Sequence, residues 1–393
     1  MTTDDTMTIT ERRKYLTKMQ SRYRQADHQE RSRLLTEMEA VTNLHRKSLT
    51  RLMAQPSLRR MPRRRQRGVI YGPETCQIVR VVWESLDCIC AERLTPQLLA
   101  TAQHLATFGE LALTPAMEML LAQMSESTVT RMLGDLPRAI PRLPRRAPGQ
   151  ANRLLRAVPM GRLPWQTVTP GSFEVDLVHH SGESSAGEYV HTLQLIDVAT
   201  GWSERTAVFG RGQAAMEAGF RRILDRLPFP IRHLHPDNGP EFFNHHLVRF
   251  WGEEITGLTL SRSRPYQKND NRFVEQKNAT LVRAYLGHRR LETPAQCAAL
   301  AALYEQMGVY YNLFQPVLHL IAKEVIDGKV KRTWDDAQTP YQRVLATGIL
   351  TPTVAAGLAA LHAATNPRRL RQEMYDGVAR LWEGEAMILL VAD

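Results

Sequence analysis

Two stretches of this chain cannot be packed into a core, and they constrain how the rest can fold. Residues 59–67 hold six arginines in nine positions, interrupted by Pro62, and residues 137–164 mix proline with arginine throughout. Mutually repelling cations, and prolines that lack an amide donor, exclude both stretches from an interior helix or strand. The 393 residues are thereby divided into blocks. The composition predicts an N-terminal domain over 1–58, a basic linker over 59–71 and a second helical domain over 72–137. A Pro/Arg-rich linker over 138–168, a core over 169–335 and a helical C-terminal region over 336–393 complete the division.

The N-terminal block reads as helices. Leu34, Leu35, Met38 and Val41 recur at helical spacing, as do Leu44, Leu49, Leu52 and Met53, with a turn near 40–43 and Thr42 or Asn43 as the next N-cap. The second of these segments opens with Arg46, Lys47, Ser48, Thr50 and Arg51. Such a segment suits a helix-turn-helix whose second helix enters a major groove; an ordinary helical hairpin with a solvated charged face is the other reading. Arg63, Arg64 and Arg65 in the following run are placed to lie on phosphates or in a minor groove. A second helix–turn–helix pattern, 117–133, turns at Ser125 and is either a DNA-contacting or a structural unit.

Charge is distributed unevenly. Residues 1–67 carry 17 Lys/Arg against 7 Asp/Glu, whereas 172–282 carry 12 against 14, so most of the formal +11 lies at the N-terminal end. A polyanionic partner is expected for that end. The four cysteines (Cys76, Cys88, Cys90, Cys297) fit neither a disulfide framework nor a spaced metal motif and are expected to be buried free thiols. The first residues lack the charged and apolar regions of a secretory signal, and no apolar run approaches about 18 residues. A soluble, cytoplasmic protein without membrane contact is expected.

From about residue 170 the period changes. Segments 173–179, 189–198 and 204–209 read as strands, followed by a helix over 213–227, a strand over 231–235, a helix over 242–253, a strand over 258–262 and a long helix from about 271 to 288. That order predicts an α/β ribonuclease-H-like core, a mixed five-stranded sheet flanked by helices, between all-α helix-turn-helix N-terminal domains and a helical C-terminal tail. Helices over 353–364 and 367–383 are expected to follow Thr351 and Asn366.

Three acidic residues occupy distinct settings in this core. Asp176 lies among Val175, Leu177 and Val178, where an unpaired carboxylate is costly. Asp237 follows the strand ending at His235, and Glu275 lies in the first turns of a helix, with 37 residues between Asp237 and Glu275. Carboxylates so placed suit hard divalent cations, and a pair of such ions catalyses in-line attack on phosphodiesters. Asn238, Asn269, Asn271 and Asn278 are turn and capping residues or hydrogen-bond partners of the carboxylates. Lys268, Arg272 and Lys277 flank Glu275 and are expected to include DNA contacts. His179, His180 and His235 are poor Mg2+ ligands.

The strand Asp176, the stretch 235–242 (HPDNGPEF) and the stretch 264–278 (RPYQKNDNRFVEQKN) together resemble the integrase-core transposases of bacterial insertion sequences, relatives of retroviral integrases. The resemblance spans roughly 170–330 and implies a DDE active site made of Asp176, Asp237 and Glu275. It implies two Mg2+ ions, replaceable by Mn2+, with hydrolysis at the 3′ ends of an element and direct strand transfer into target DNA. Double-stranded DNA is the implied partner, and cutting two ends together implies a homodimer or higher oligomer. No His/Cys zinc module precedes the core and no small β-barrel is evident after it, which departs from the retroviral form. A structure-selective nuclease of the same fold, or a DNA-binding regulator that has kept the fold, are the alternatives.

Overall fold

The computed structural model describes residues 7–58, 70–134, 136, 160–161, 169–237, 241–242, 244–263, 271–326 and 329–391, in two compact units, 1–70 and 71–393. The first unit is three helices: α1 (Ile9–Gln25), α2 (His28–Thr42) and α3 (Arg46–Ala54). Thr8 and Glu11 form a capping box on α1, and Asp27 caps α2. Leu16, Met19, Leu34, Leu35, Met38, Leu49 and Met53 fill the space between the helices. Neither Thr42 nor Asn43 caps α3. Thr42 ends α2 with its hydroxyl on Met38 O (2.5 Å), Asn43 turns the chain at φ 58°, and His45 is the cap. Val41, placed on the apolar face by its spacing, is 44% exposed.

The second unit begins with α4 (Pro73–Ser85), α5 (Ala91–Leu94), a 3-10 turn (Thr95–Gln97), α6 (Leu98–Thr107), α7 (Pro115–Ala122) and α8 (Glu126–Gly134). These helices share one continuous apolar core with the sheet: Val82, Trp83, Leu94 and Leu105 belong to the same cluster as Val175, Leu195 and Phe314. Tyr310 OH and Gln315 Nε2 donate to Ser85 O and Leu86 O, both at 2.7 Å. Block 72–137 thus lies within the unit that holds the sheet. Among its cysteines Cys76 and Cys90 are exposed, contrary to the expectation of burial; Cys297 is buried.

The Pro/Arg-rich connector contributes a short strand, β1 (Met160–Gly161). The main sheet consists of β2 (Ser172–His179), β3 (Val190–Asp197), β4 (Ser203–Phe209), β5 (His233–Pro236) and β6 (Thr259–Leu260), in the order β4-β3-β2-β5-β6. The first three are antiparallel neighbours, and β5 and β6 join in parallel, the arrangement expected from the element order. Beside it β7 (Arg262–Ser263) pairs in parallel with β1. α9 (Gln213–Leu224) and α10 (His245–Glu254) cover one face, where Met216, Phe220, Ile223 and Trp251 share one apolar core with Leu193 and Leu195. Gly219 allows this close approach: a Cβ there would sit 2.6 Å from Val208 Cγ1.

The helix expected over 271–288 is three pieces: α11 (Arg272–Lys277), a π-helical segment (Asn278–Arg283) and α12 (Ala284–Leu286). With α13 (Pro294–Phe314) these cover the other face of the sheet, where Val282, Leu300, Tyr304 and Met307 meet Val178, Val190 and Ala207. A hairpin, β8 (Leu320–Ile326) and β9 (Lys329–Trp334), follows where no strand was foreseen. The tail is helical as expected, in α14 (Pro340–Thr347), α15 (Pro352–Ala364) and α16 (Pro367–Val391), each starting at a proline after Thr or Asn. Among the described residues no helix is long and apolar enough to cross a membrane.

Several histidines are built into this interior. His180 Nε2 pairs with Thr192 Oγ1 (2.7 Å), which meets Tyr304 OH at 2.5 Å, while both ring nitrogens of His191 have no partner among the described residues. Burial holds His180 well below its ordinary value and pushes His191 and His319 down to about 4. The folded protein therefore keeps His191 and His319 neutral from pH 6.5 down to about 4, whereas the unfolded chain protonates them. Stability falls with pH in that window, by up to about 1.4 kcal/mol per pH unit for each fully linked proton. Asp197, raised to about 6 foremost by burial, works in the opposite sense, because acidification neutralises it first in the folded state.

His191→Phe is expected to flatten the stability loss between pH 6.5 and 4 relative to wild type. Urea midpoints at pH 7 and pH 5 check this, and an unchanged difference would reject it. Gly219→Val is expected to cost about 1–3 kcal/mol by overpacking α9 against β4; a denaturation midpoint equal to wild type would contradict that close approach.

Candidate active site

The site starts from a strand register. β2 and β5 are parallel, with Val175 opposite Pro236. The next residues along the two chains are Asp176 and Asp237, so these carboxylates leave neighbouring backbones, strands being about 4.8 Å apart. Asp176 is on the central strand of the sheet and Asp237 is just beyond the end of β5.

The helix bearing Glu275 is tied to both. Asn278 Nδ2 donates to Asp176 Oδ2, and the Leu177 N–H donates to Asp176 Oδ1 at 2.8 Å. Asn271 precedes α11, and its amide is satisfied with the oxygen accepting from the Asp237 N–H (3.1 Å) and the nitrogen donating to His235 O (3.2 Å) and Ser263 Oγ (3.3 Å). Of the four asparagines read as turn or hydrogen-bonding residues, Asn271 and Asn278 thus contact the aspartates, while Asn238 and Asn269 lie outside the described residues. Helical geometry puts Glu275 and Asn278, three apart, on neighbouring positions of one face. The π turn beginning at Asn278 locally widens the helix at this point, and such turns concentrate at functional sites.

The carboxyls sit in graded environments: Asp176 and Asp237 are half-buried and Glu275 is exposed. Burial foremost raises the pKa of Asp176, and the nearby charge of Glu241 adds to the rise; the Leu177 and Asn278 bonds oppose it. Two residues escaped the sequence reading. Glu241 is a fourth acid near Asp176, with its Oε2 buried and unpartnered among the described residues. Glu174 is 1% exposed and accepts the N–H groups of Phe273 and Val274. Its position two residues before Asp176, on the same strand face, was the available signal.

Oxygen-only donors of this kind match the chemistry of Mg2+. Among the described residues, however, no three His, Cys, Asp or Glu side chains are gathered closely enough to hold a metal ion. The histidines serve the scaffold: His235 Nδ1 and His233 Nε2 each meet Ser261 Oγ at 2.6 Å. Trp202 and Trp251 are buried core residues, 4% and 0% exposed.

The basic residues divide. Lys277 is corrected: it points inward, its ammonium 4.7 Å from the centre of the Tyr311 ring, and burial foremost, with Arg93 and Arg205, pushes its pKa down to about 7. Residues two apart on a helix face different ways, so the turn that exposes Glu275 leaves Lys277 half-buried. Arg46 folds back onto α2, with Nη1 on Thr36 Oγ1 (3.0 Å) and Nη2 on Ser32 Oγ (2.7 Å). Lys47 and Arg51 are exposed one turn apart on α3. Arg63, Arg64, Arg65 and Lys268 lie outside the described residues, as does the side chain of Arg272.

No protein-family model matches the chain. Among solved structures, the catalytic core domain of BIV integrase aligns at a TM-score of 0.31 and 17% identity, over 45% of this chain and 95% of that one. The fold described above rests on its own strand order and register. In sequence, the chain is 35% identical over 323 residues to the uncharacterized protein y4rM of Sinorhizobium fredii, covering 82% of this chain and 91% of that protein. An identity of that level over most of both chains establishes that this chain belongs to the family of y4rM.

Proposed function

We infer that this protein is a DDE transposase, a polynucleotidyl transferase that hydrolyses phosphodiesters at the ends of a mobile element and joins the freed 3′-hydroxyls to target DNA. The observation that carries the reading is the juxtaposition of Asp176 with Asp237 by the β2–β5 register, with Asn278 drawing the Glu275 helix onto Asp176. Asp176, Asp237 and Glu275 are the residues that would hold Mg2+. When bound, divalent cations activate the attacking oxygen and stabilise the leaving one.

The protein's own groups prepare this chemistry. Asp176 is a desolvated carboxylate that a cation would relieve, and Asn278 fixes its orientation through Oδ2. Asn271 holds the backbone at Asp237. Lys47 and Arg51, exposed on one side of α3, would take phosphates or base edges of the element's ends, as in a helix-turn-helix. Work on two ends together calls for a dimer or higher oligomer on DNA. A nuclease of the same fold would cut without joining, and a DNA-binding regulator would do neither.

The test uses the full chain, labelled DNA bearing the repeats that flank its gene, a supercoiled target and Mg2+. Wild type is expected to nick and join, and Asp176→Asn, Asp237→Asn and Glu275→Gln each to lose roughly 100-fold or more in rate, the equivalent of several kcal/mol of transition-state stabilisation. Absence of metal-dependent nicking in wild type, or full activity in Glu275→Gln, sinks the reading; nicking without joining selects the nuclease. In a binding titration, Lys47→Ala/Arg51→Ala is expected to weaken end binding about tenfold or more and to lower the salt slope by up to about two. An unaltered slope would remove α3 from the DNA interface.

A further inference from the structure

We propose that Glu174 is a positioning residue, which fixes Glu275 relative to Asp176 by capping the helix that carries Glu275 from the strand that carries Asp176. The proposal rests on the reading of Asp176 and Glu275 as partners in one site.

Strand alternation puts Glu174 and Asp176 on the same face of β2. Glu174 is 1% exposed, and a carboxylate so enclosed is strongly unfavourable unless its oxygens find donors. Its Oε2 accepts the main-chain N–H groups of Phe273 (2.8 Å) and Val274 (2.9 Å), 99 and 100 residues along the chain. These are the second and third residues of α11, and the opening N–H groups of a helix have no acceptor within it. Asn271, at the usual capping position, supplies no side-chain cap, because its amide is turned to Asp237 and His235. The need for a cap is therefore met across the tertiary structure.

The second hold is at the other end of α11, where Asn278 donates to Asp176. β2 grips one short helix at two points, and Glu275 lies between them. Neither sliding nor rotation of α11 against β2 is possible without breaking a charge-assisted bond. Glu174 is almost wholly enclosed, so its contribution passes through the placement of Glu275.

Amide hydrogen exchange and cleavage kinetics, measured on full-length wild type, Glu174→Ala and Glu174→Gln, test the proposal. Wild type is expected to protect the amides of Phe273 and Val274. Glu174→Ala should speed their exchange by about 10–100-fold, the factor for loss of one charge-assisted hydrogen bond, while Leu193 and Leu195 on β3 stay protected. The same variant should cut DNA about tenfold or more slowly and need more Mg2+ for half-maximal rate, as expected for a misplaced site carboxylate. Glu174→Gln, which keeps an acceptor oxygen, should partly restore both readouts, and it serves alone if Glu174→Ala does not fold.

Fast exchange at 273–274 in wild type, unchanged exchange there in both variants, or cleavage with an unchanged Mg2+ requirement in Glu174→Ala would each overturn the proposal. A loss of protection spreading through β3 in Glu174→Gln would also overturn it, by making Glu174 a general core residue. A wild type that does not cleave defeats the catalytic reading instead; the exchange rates at 273–274 then decide the tether on their own.

Discussion

A carboxylate on the central strand of the sheet, at Asp176, is the constraint around which the second unit is organised. Burial disfavours its charge, and Glu241 disfavours it further. What offsets this in the folded chain is a small set of fixed donors, the Leu177 N–H and the Asn278 amide. The Asn278 bond brings α11 and the π turn over the strand. Asp237 arrives by a separate route, through the parallel register of β5. Backbone geometry and side-chain bonding thus converge on one place from three segments far apart in sequence.

Much of this was legible beforehand. The strand run around Asp176 and the short apolar run before Asp237 carried local signals strong enough to survive tertiary packing, and the five strands appear with ends shifted by at most two residues. Less legible was anything decided by a partner element. Over 192–195 β3 alternates polar and apolar residues, yet all eight residues of the strand are buried, because α13 covers the side on which Thr192 and Gln194 project. Alternation records which residues share a face and leaves open what lies over that face. The same limit hid Glu174, whose use depends on a helix 99 residues away. It also hid Lys277, a charged residue beside Glu275 whose side chain turns to Tyr311. Composition divided the chain at 137–164, but the apolar faces of α4–α8 are matched to the sheet's own core, so that division does not separate two cores.

The covered face shows how far polarity extends beneath the site. Asp176 is opposite Gln194 on β3, and Gln194 is opposite Arg205 on β4. Arg205 is 1% exposed, with its guanidinium 5.5 Å from the centre of the Tyr304 ring, and burial lowers its pKa. The amide of Gln194, and Nε and Nη1 of Arg205, have no hydrogen-bond partner among the described residues. A row of this kind is expensive, at about 1–3 kcal/mol for each unsatisfied buried group. An apolar row of similar volume would stabilise the sheet better, so the row is the opposite of what stability alone would select.

That cost and the grading of the carboxyls bear on the same question of where binding energy enters the site. Half-buried Asp176 and Asp237 and exposed Glu275 are not equivalent anchors. On the proposed reading, a cation relieves the desolvated charge at Asp176, while Glu275 gives up hydration to join it. An exposed ligand of that kind has to be held in place by something other than its own burial. Its helix supplies the hold, bound to β2 before and after Glu275 by Glu174 and Asn278. Preorganisation is thus placed in the backbone of α11, and the exposed side chain of Glu275 would meet its ligand from the solvent side.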